Sequence, residues 1–209
     1  MFGDGALTFR EFAMREPVPL ATIHDAVLQF LRGRNDAVLF GAQAVNAYVD
    51  EPRMTQAVDI LSPRAVELAE ELRGHLADKF QIALRVREVA GGVGRRIYQL
   101  RTPKNRHLVD VRGVESLRPH QVIDEVLVTP PADLIGMKVV SAVSRSGTAK
   151  GIIDLADIRR LLLAFPDLKT VDGRVGDRLL AAGASEAALS AWRAITAQEI
   201  LPDDDDAGY

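Results

Sequence analysis

The feature that most constrains this chain is an acid set inside an apolar strand, just downstream of a strand that ends in glycine. Ala37 to Phe40 is a short apolar run that predicts a buried strand. Gly41 then allows a sharp exit or a close backbone approach to a ligand, because it carries no side chain. Ala42 to Tyr48 has alanines and apolar residues at helical spacing, so a helix follows the glycine. After a turn at Asp50-Glu51-Pro52, Ala57 to Leu61 predicts a second buried strand, and this one carries Asp59. A carboxylate among apolar residues is costly unless it is paired or bound to a metal. Strand, glycine, helix and acidic strand therefore form one unit around an acid that needs a partner, whether a cationic side chain or a metal.

The rest of the chain supplies the framework. Pro17 and Pro19 end an irregular lead-in. Thr22 is placed to cap a helix running to about Arg32, with Ile23, Val27, Leu28 and Leu31 on one face. Ser62-Pro63 is a start signal for a helix to about Lys79. Ile82 to Val89 alternates as a half-buried strand, Gly91-Gly92-Val93-Gly94 predicts a hairpin turn, and Arg95 to Leu100 and His107 to Val111 are further strands. The last of these carries Asp110. Between Arg85 and Arg112 the bases Arg85, Arg87, Arg95, Arg96, Arg101, Lys104, Arg106 and Arg112 face only Glu88 and Asp110. Such a stretch can attract triphosphate or an RNA backbone, or simply form a solvated sheet face. Only Tyr98 interleaves with these bases, which argues against a dedicated single-strand stacking platform.

Pro130-Pro131 marks a shift to helical sequence. Ala132 to Val143 predicts a helix, Ser144 to Gly151 a polar loop, and Ile153 to Leu162 a second helix ending before Pro166. Further helices are expected within Val171 to Ala182 and after Ser185, the last one anchored by Trp192. The expected organisation is a sheet domain over 1–129, a helical part over 130–201 and a disordered acidic tail over 202–209. The 209 residues contain no cysteine, which excludes disulfides, thiolate metal sites and a cysteine nucleophile. His24, His75, His107 and His120 lack metal-ligand spacing. A net charge of -3 does not mark a general nucleic-acid binder. With no apolar segment of spanning length and no signal-peptide core, a soluble cytoplasmic protein without a membrane partner is expected.

Strand, glycine, helix and then Arg53-x-Thr55-x-Ala57-x-Asp59 resembles the signature of the nucleotidyltransferase fold. It is most similar to AbiEii-type and other minimal nucleotidyltransferases of bacterial toxin and defence systems. The resemblance implies an α/β (α+β) fold, a mixed sheet flanked by helices with a helical C-terminal part. Met137-Lys138, Arg145, Lys150 and Asp154-Leu155-Ala156-Asp157 also follow the family's order, although Gly151-Ile152-Ile153 separates Lys150 from Asp154. By this likeness Asp59, Asp110, Lys138 and Asp154 are the catalytic candidates, and Asp59 and Asp110 the metal ligands. Gly41, Ala42, Arg53, Thr55, Lys138 and Lys150 are the nucleotide-binding candidates. For Lys138 the alternative is an ion pair with Asp154 or Asp157, and for Asp110 an ion pair with a neighbouring arginine.

The chain departs from the signature at Ala57, where the first metal-binding aspartate stands in the family, and at Ala42, the second small residue of the turn. Two acids on alternate residues of a strand point the same way and can reach the same magnesium ions. Ala57 removes one of that pair. Two functions are therefore expected. One is a nucleotidyltransferase using an NTP and Mg2+, with an RNA, protein or small-molecule acceptor and a cognate antitoxin or other protein partner. The other is a pseudoenzyme that binds a nucleotide or a protein without transfer. An unrelated α/β scaffold is the third possibility.

Overall fold

The computed structural model describes residues 18–202. The expected lead-in before Pro17 and the Asp203 to Asp206 run lie outside them. The described residues fall into two compact units that divide between Thr129 and Pro130.

Among the described residues the first unit is a seven-stranded mixed sheet with three α-helices. Its elements are α1 (Leu20–Leu31), β1 (Val38–Phe40), α2 (Gly41–Asn46), β2 (Val58–Ser62), α3 (Ala65–Phe80), β3 (Leu84–Val89), β4 (Gly94–Gln99), β5 (Arg106–Gly113), β6 (Gln121–Ile123) and β7 (Val126–Val128). The strands lie in the order β3-β4-β5-β2-β1-β7-β6. β2 pairs parallel with β5 and antiparallel with β1, and β7 returns parallel to β1. One face carries the apolar register rows. Ile97, Val109 and Val58 stand side by side, as do Val111 and Ile60, all of them buried. α3 packs on β2 to β5 and α1 on α3, β5 and β7, with Leu68, Leu72 and Leu76 of α3 and Ile23, Val27 and Leu31 of α1 fully buried. Each such side chain contributes about 1.5–3 kcal/mol relative to exposure.

Several boundaries differ from expectation for local reasons. α1 begins at Leu20 behind Pro19, so Thr22 lies inside the helix instead of capping it. Ser62 belongs to β2, where it pairs with Gly113, and its hydroxyl accepts from the Arg64 N–H at 3.0 Å. α3 therefore starts at Ala65, beyond Pro63. The β6–β7 hairpin was not expected from the sequence. Its turn residues Asp124 and Glu125 both have positive φ, 48° and 65°, without the glycine that usually announces such a turn.

The second unit is helical, with α4 (Pro131–Ser144), α5 (Ala149–Ala164), α6 (Arg174–Ala181) and α7 (Glu186–Ala197). α4 packs on α5, α6 and α7, and Trp192 is fully buried in α7. α5 starts four residues before the expected Ile153. Thr148 caps it by accepting from the Gly151 N–H at 3.1 Å, so Lys150 and Gly151-Ile152-Ile153 are helical. No described helix is long and apolar enough to cross a membrane.

Candidate nucleotide site

Gly41 begins α2 with φ +69°, a conformation that side chains resist. A Cβ at this position would run into the Asp59 carboxylate. The glycine thus lets β1 turn into α2 directly against the acid on β2, where Phe40 is the register partner of Asp59. Ala42 follows in the same turn of helix.

Across the parallel β2–β5 pair, Asp59 stands opposite Asp110. The antiparallel β4–β5 and β3–β4 pairs continue the row to Arg96 and Arg87. Phe40, Asp59, Asp110, Arg96 and Arg87 therefore share one sheet face, opposite the Val58–Val109–Ile97 row. Arg112 and Arg85, two residues from Asp110 and Arg87, belong to the same face.

Asp110 is not presented as a bare carboxylate. Arg96 grips it with both arms, Nε to Oδ1 at 2.5 Å and Nη2 to Oδ2 at 3.0 Å. His107 Nε2 lies 3.2 Å from the same Oδ2. A register shift produces this second contact: Ile97 pairs with Val109 but Tyr98 pairs with His107, leaving Leu108 as a bulge. The bulge rotates His107 onto the Asp110 side, with its ring centroid 5.5 Å from that of Tyr98. Burial alone would raise the Asp110 pKa, but His107 and Arg96 outweigh it and hold the carboxyl below its ordinary value. Arg96 is held firmly charged, chiefly by Asp110. Neither Arg96 nor His107 was singled out from the sequence. Arg96 was one base among many, and a one-residue bulge has no side-chain signature.

The Arg53-x-Thr55 segment is pinned to α2. Asn46 donates from Nδ2 to the Arg53 carbonyl at 2.8 Å and accepts the Arg53 N–H at 3.1 Å. The buried Gln43 amide donates to Thr55 Oγ1 at 3.0 Å and lies 3.2 Å from His24 Nδ1. A cleft of about 110 Å³ opens here, lined among others by His24, Asp25, Asn46, Arg53, Met54 and Thr55. Desolvation raises the pKa of Asp25 at its wall. Gln43 and Asn46, polar and three apart in an alanine-rich helix, were the available signal for this clamp.

In the second unit, buried Lys138 donates to Asp154 Oδ1 at 2.9 Å and Asp157 Oδ2 at 2.7 Å. Arg145 Nη2 donates to the other Asp154 oxygen at 2.6 Å. Two cations thus meet two carboxylates between α4 and α5, with Lys138 as the buried hub. Lys150 is exposed in the first turn of α5.

A two-metal clamp needs several hard oxygen donors converging on the ions. The donors present do not fit one as arranged: Ala57 offers none, and both Asp110 oxygens already accept from Arg96. Among the described residues no three histidine or carboxylate side chains group as metal ligands.

No family model and no curated protein sequence matches the chain. Solved structures do. The Megavirus polyadenylate synthase aligns over 75% of this chain with TM-score 0.55 and 14% identity, the chain spanning only 34% of that enzyme. JHP933 from Helicobacter pylori aligns over 91% of this chain and 92% of its own, with TM-score 0.53 and 11% identity. An H. pylori protein provisionally assigned as a nucleotidyltransferase gives TM-score 0.52 and 10% identity over 91% of this chain and 94% of its own.

Proposed function

We propose that this protein, whose fold is nucleotidyltransferase-like, is a nucleotide-binding module in which metal-assisted transfer has been given up. The observation that carries the reading is the bidentate Arg96–Asp110 pair beside a site that already lacks a carboxylate at Ala57. What remains suits anion binding: the Gly41 turn, the arginines of the sheet face, and the cleft beside Arg53 and Thr55. The test is to offer each labelled nucleoside triphosphate with RNA and protein acceptors in magnesium, and to measure triphosphate binding in parallel. Binding without label incorporation is expected. Incorporation that Asp59→Asn abolishes would overturn the reading.

The register of Asp59 with Asp110 favours a second reading, nucleotidyl transfer. In it an acceptor oxygen attacks the α-phosphorus in line, the bond to the β-bridging oxygen breaks, and pyrophosphate leaves. Asp59 and Asp110 would supply carboxylates for Mg2+ only with Arg96 displaced from Asp110, and the ion would then stabilise charge on the nucleotidyl group in transfer. The acceptor would be RNA, protein or a small molecule, in a cytoplasmic toxin-antitoxin or defence setting like that of the AbiEii-type proteins. Lys138 and Asp154, neutralised by each other and by Asp157 and Arg145, are assigned to holding α4 on α5.

A further inference from the structure

We infer that the Arg96 guanidinium takes the place of a metal ion in this site, so that the polyphosphate of a nucleoside triphosphate binds the arginine face of the sheet without a divalent cation. The inference rests on the nucleotide-binding reading above and specifies how the charge is met.

A guanidinium has five N–H donors in a fixed fork. Arg96 uses Nε and one Nη2 hydrogen on Asp110, and Nη1 stands 3.4 Å from the Tyr98 hydroxyl. One N–H on each terminal nitrogen is left over, and the side chain is 34% exposed. Asp110, against which His107 also packs, thus holds Arg96 in place much as a carboxylate holds a metal, and the two remaining N–H groups are left for a ligand. The arrangement is charge-assisted and bidentate, the strong form of such a contact.

The neighbours supply the remaining charge. Arg87 lies over the Tyr98 ring at 5.6 Å and Arg112 over the Phe40 ring at 5.1 Å. Both are exposed, and among the described residues neither has a carboxylate partner. Stacking fixes the planar groups without consuming their donors. Adjacent strands are roughly 4.8 Å apart, so the row from Arg87 through Arg96 to Asp110 and Asp59 is short enough for one ligand to touch several members. Arg85, Arg87, Arg96 and Arg112 exceed Asp59 and Asp110 by two positive charges, the charge of one magnesium ion. A triphosphate without its metal would meet that excess directly.

The experiment is calorimetric titration of the full chain with ATP, GTP, CTP, UTP and inorganic tripolyphosphate, each in excess EDTA and in excess magnesium. Wild type, Arg96→Met and the neutral double variant Arg96→Met/Asp110→Asn are compared, the last avoiding a stranded carboxylate that could prevent folding. Expected is binding in EDTA at least as tight as in magnesium, weakened about tenfold or more by both variants. Tripolyphosphate binding alongside the nucleotides would place recognition in the phosphates. Wild-type binding that requires magnesium overturns the inference and leaves the nucleotide-binding reading standing, as does full EDTA binding in the folded double variant. Absence of triphosphate binding under either condition overturns that reading itself, and this inference with it.

Discussion

A carboxylate held between an arginine and a histidine resists protonation, and Asp110 makes this measurable. Its folded pKa lies below the ordinary value, because His107 and Arg96 outweigh burial. The unfolded value is about 3.9. The pair therefore contributes its full stability above that value and loses it as the pH falls through the lower folded value. Urea unfolding followed from neutral pH downwards should show Asp110→Asn less stable than wild type above about pH 4, with the gap closing under more acidic conditions. A gap independent of pH would mean that the ion pair contributes nothing. Gly41 gives a second residue-scale prediction. Gly41→Ala must accept a left-handed φ, costing about 1–2 kcal/mol, and must push the Asp59 carboxylate aside. Urea midpoints should register the first effect and triphosphate titration the second, as weakened binding. Gly41, Asp59 and Asp110 were legible because each sits in a local pattern of apolar strand and breaker. Their partners were not. Arg96 reaches Asp110 across a strand pair fourteen residues distant in sequence, chosen from many arginines, and the Leu108 bulge that brings in His107 depends on register alone.

At the scale of elements, the α4–α5 hairpin depends on a buried lysine whose obvious use, meeting phosphate, competes with its contacts. Lys138 is engaged by Asp154 and Asp157, both buried. Removing one member of such a cluster leaves uncompensated charge and costs roughly 3–5 kcal/mol. Lys138→Ala is accordingly expected to lower the thermal midpoint sharply, with loss of helical signal from the second unit. A variant that melts like wild type would return Lys138 to the phosphate-binding candidates. Loss of nucleotide binding in Lys138→Ala is informative only if the fold survives. The order of Lys138, Arg145, Asp154 and Asp157 could be read from the chain, and so could the Lys138–Asp154/Asp157 pairing as one of two alternatives. The start of α5 could not. Thr148 caps a turn containing Gly151, which in sequence reads as loop, yet the helix needs a glycine there because a Cβ would collide with the Arg145 carbonyl. Likewise β6 and β7, three residues each around Asp124-Glu125, are too short for a periodic signal. β7 gains its place from β1, where the Thr129 N–H and hydroxyl both donate to the Leu39 carbonyl at 2.9 and 3.0 Å.

For the molecule as a whole, the site exists because a long crossover returns β5 alongside β2 and sets Asp110 level with Asp59. The solved structures share this chain's fold at 10–14% identity, as a fold specified by apolar rows and breakers allows. The chemistry is less robust, since it depends on which side chains occupy three or four points of one face. Ala57 lies in the bend just before β2, so Ala57→Asp would place a second carboxylate two residues from Asp59 at the start of the strand. One added donor should not create a metal site while Arg96 holds both oxygens of Asp110. Displacing a bidentate guanidinium from a half-buried carboxylate gives up two charge-assisted hydrogen bonds at once. The expectation is that Ala57→Asp alone gains no calorimetric Mg2+ binding, whereas Ala57→Asp/Arg96→Met gains it and begins to show label transfer from a triphosphate. Metal binding by the single variant would show that Arg96 yields to magnesium, and the retired-transfer reading would then rest on Ala57 alone. Silence from the folded double variant would show that releasing Asp110 from Arg96 and supplying an acid at position 57 do not make a metal site, and the account in which Arg96 keeps magnesium out would fall.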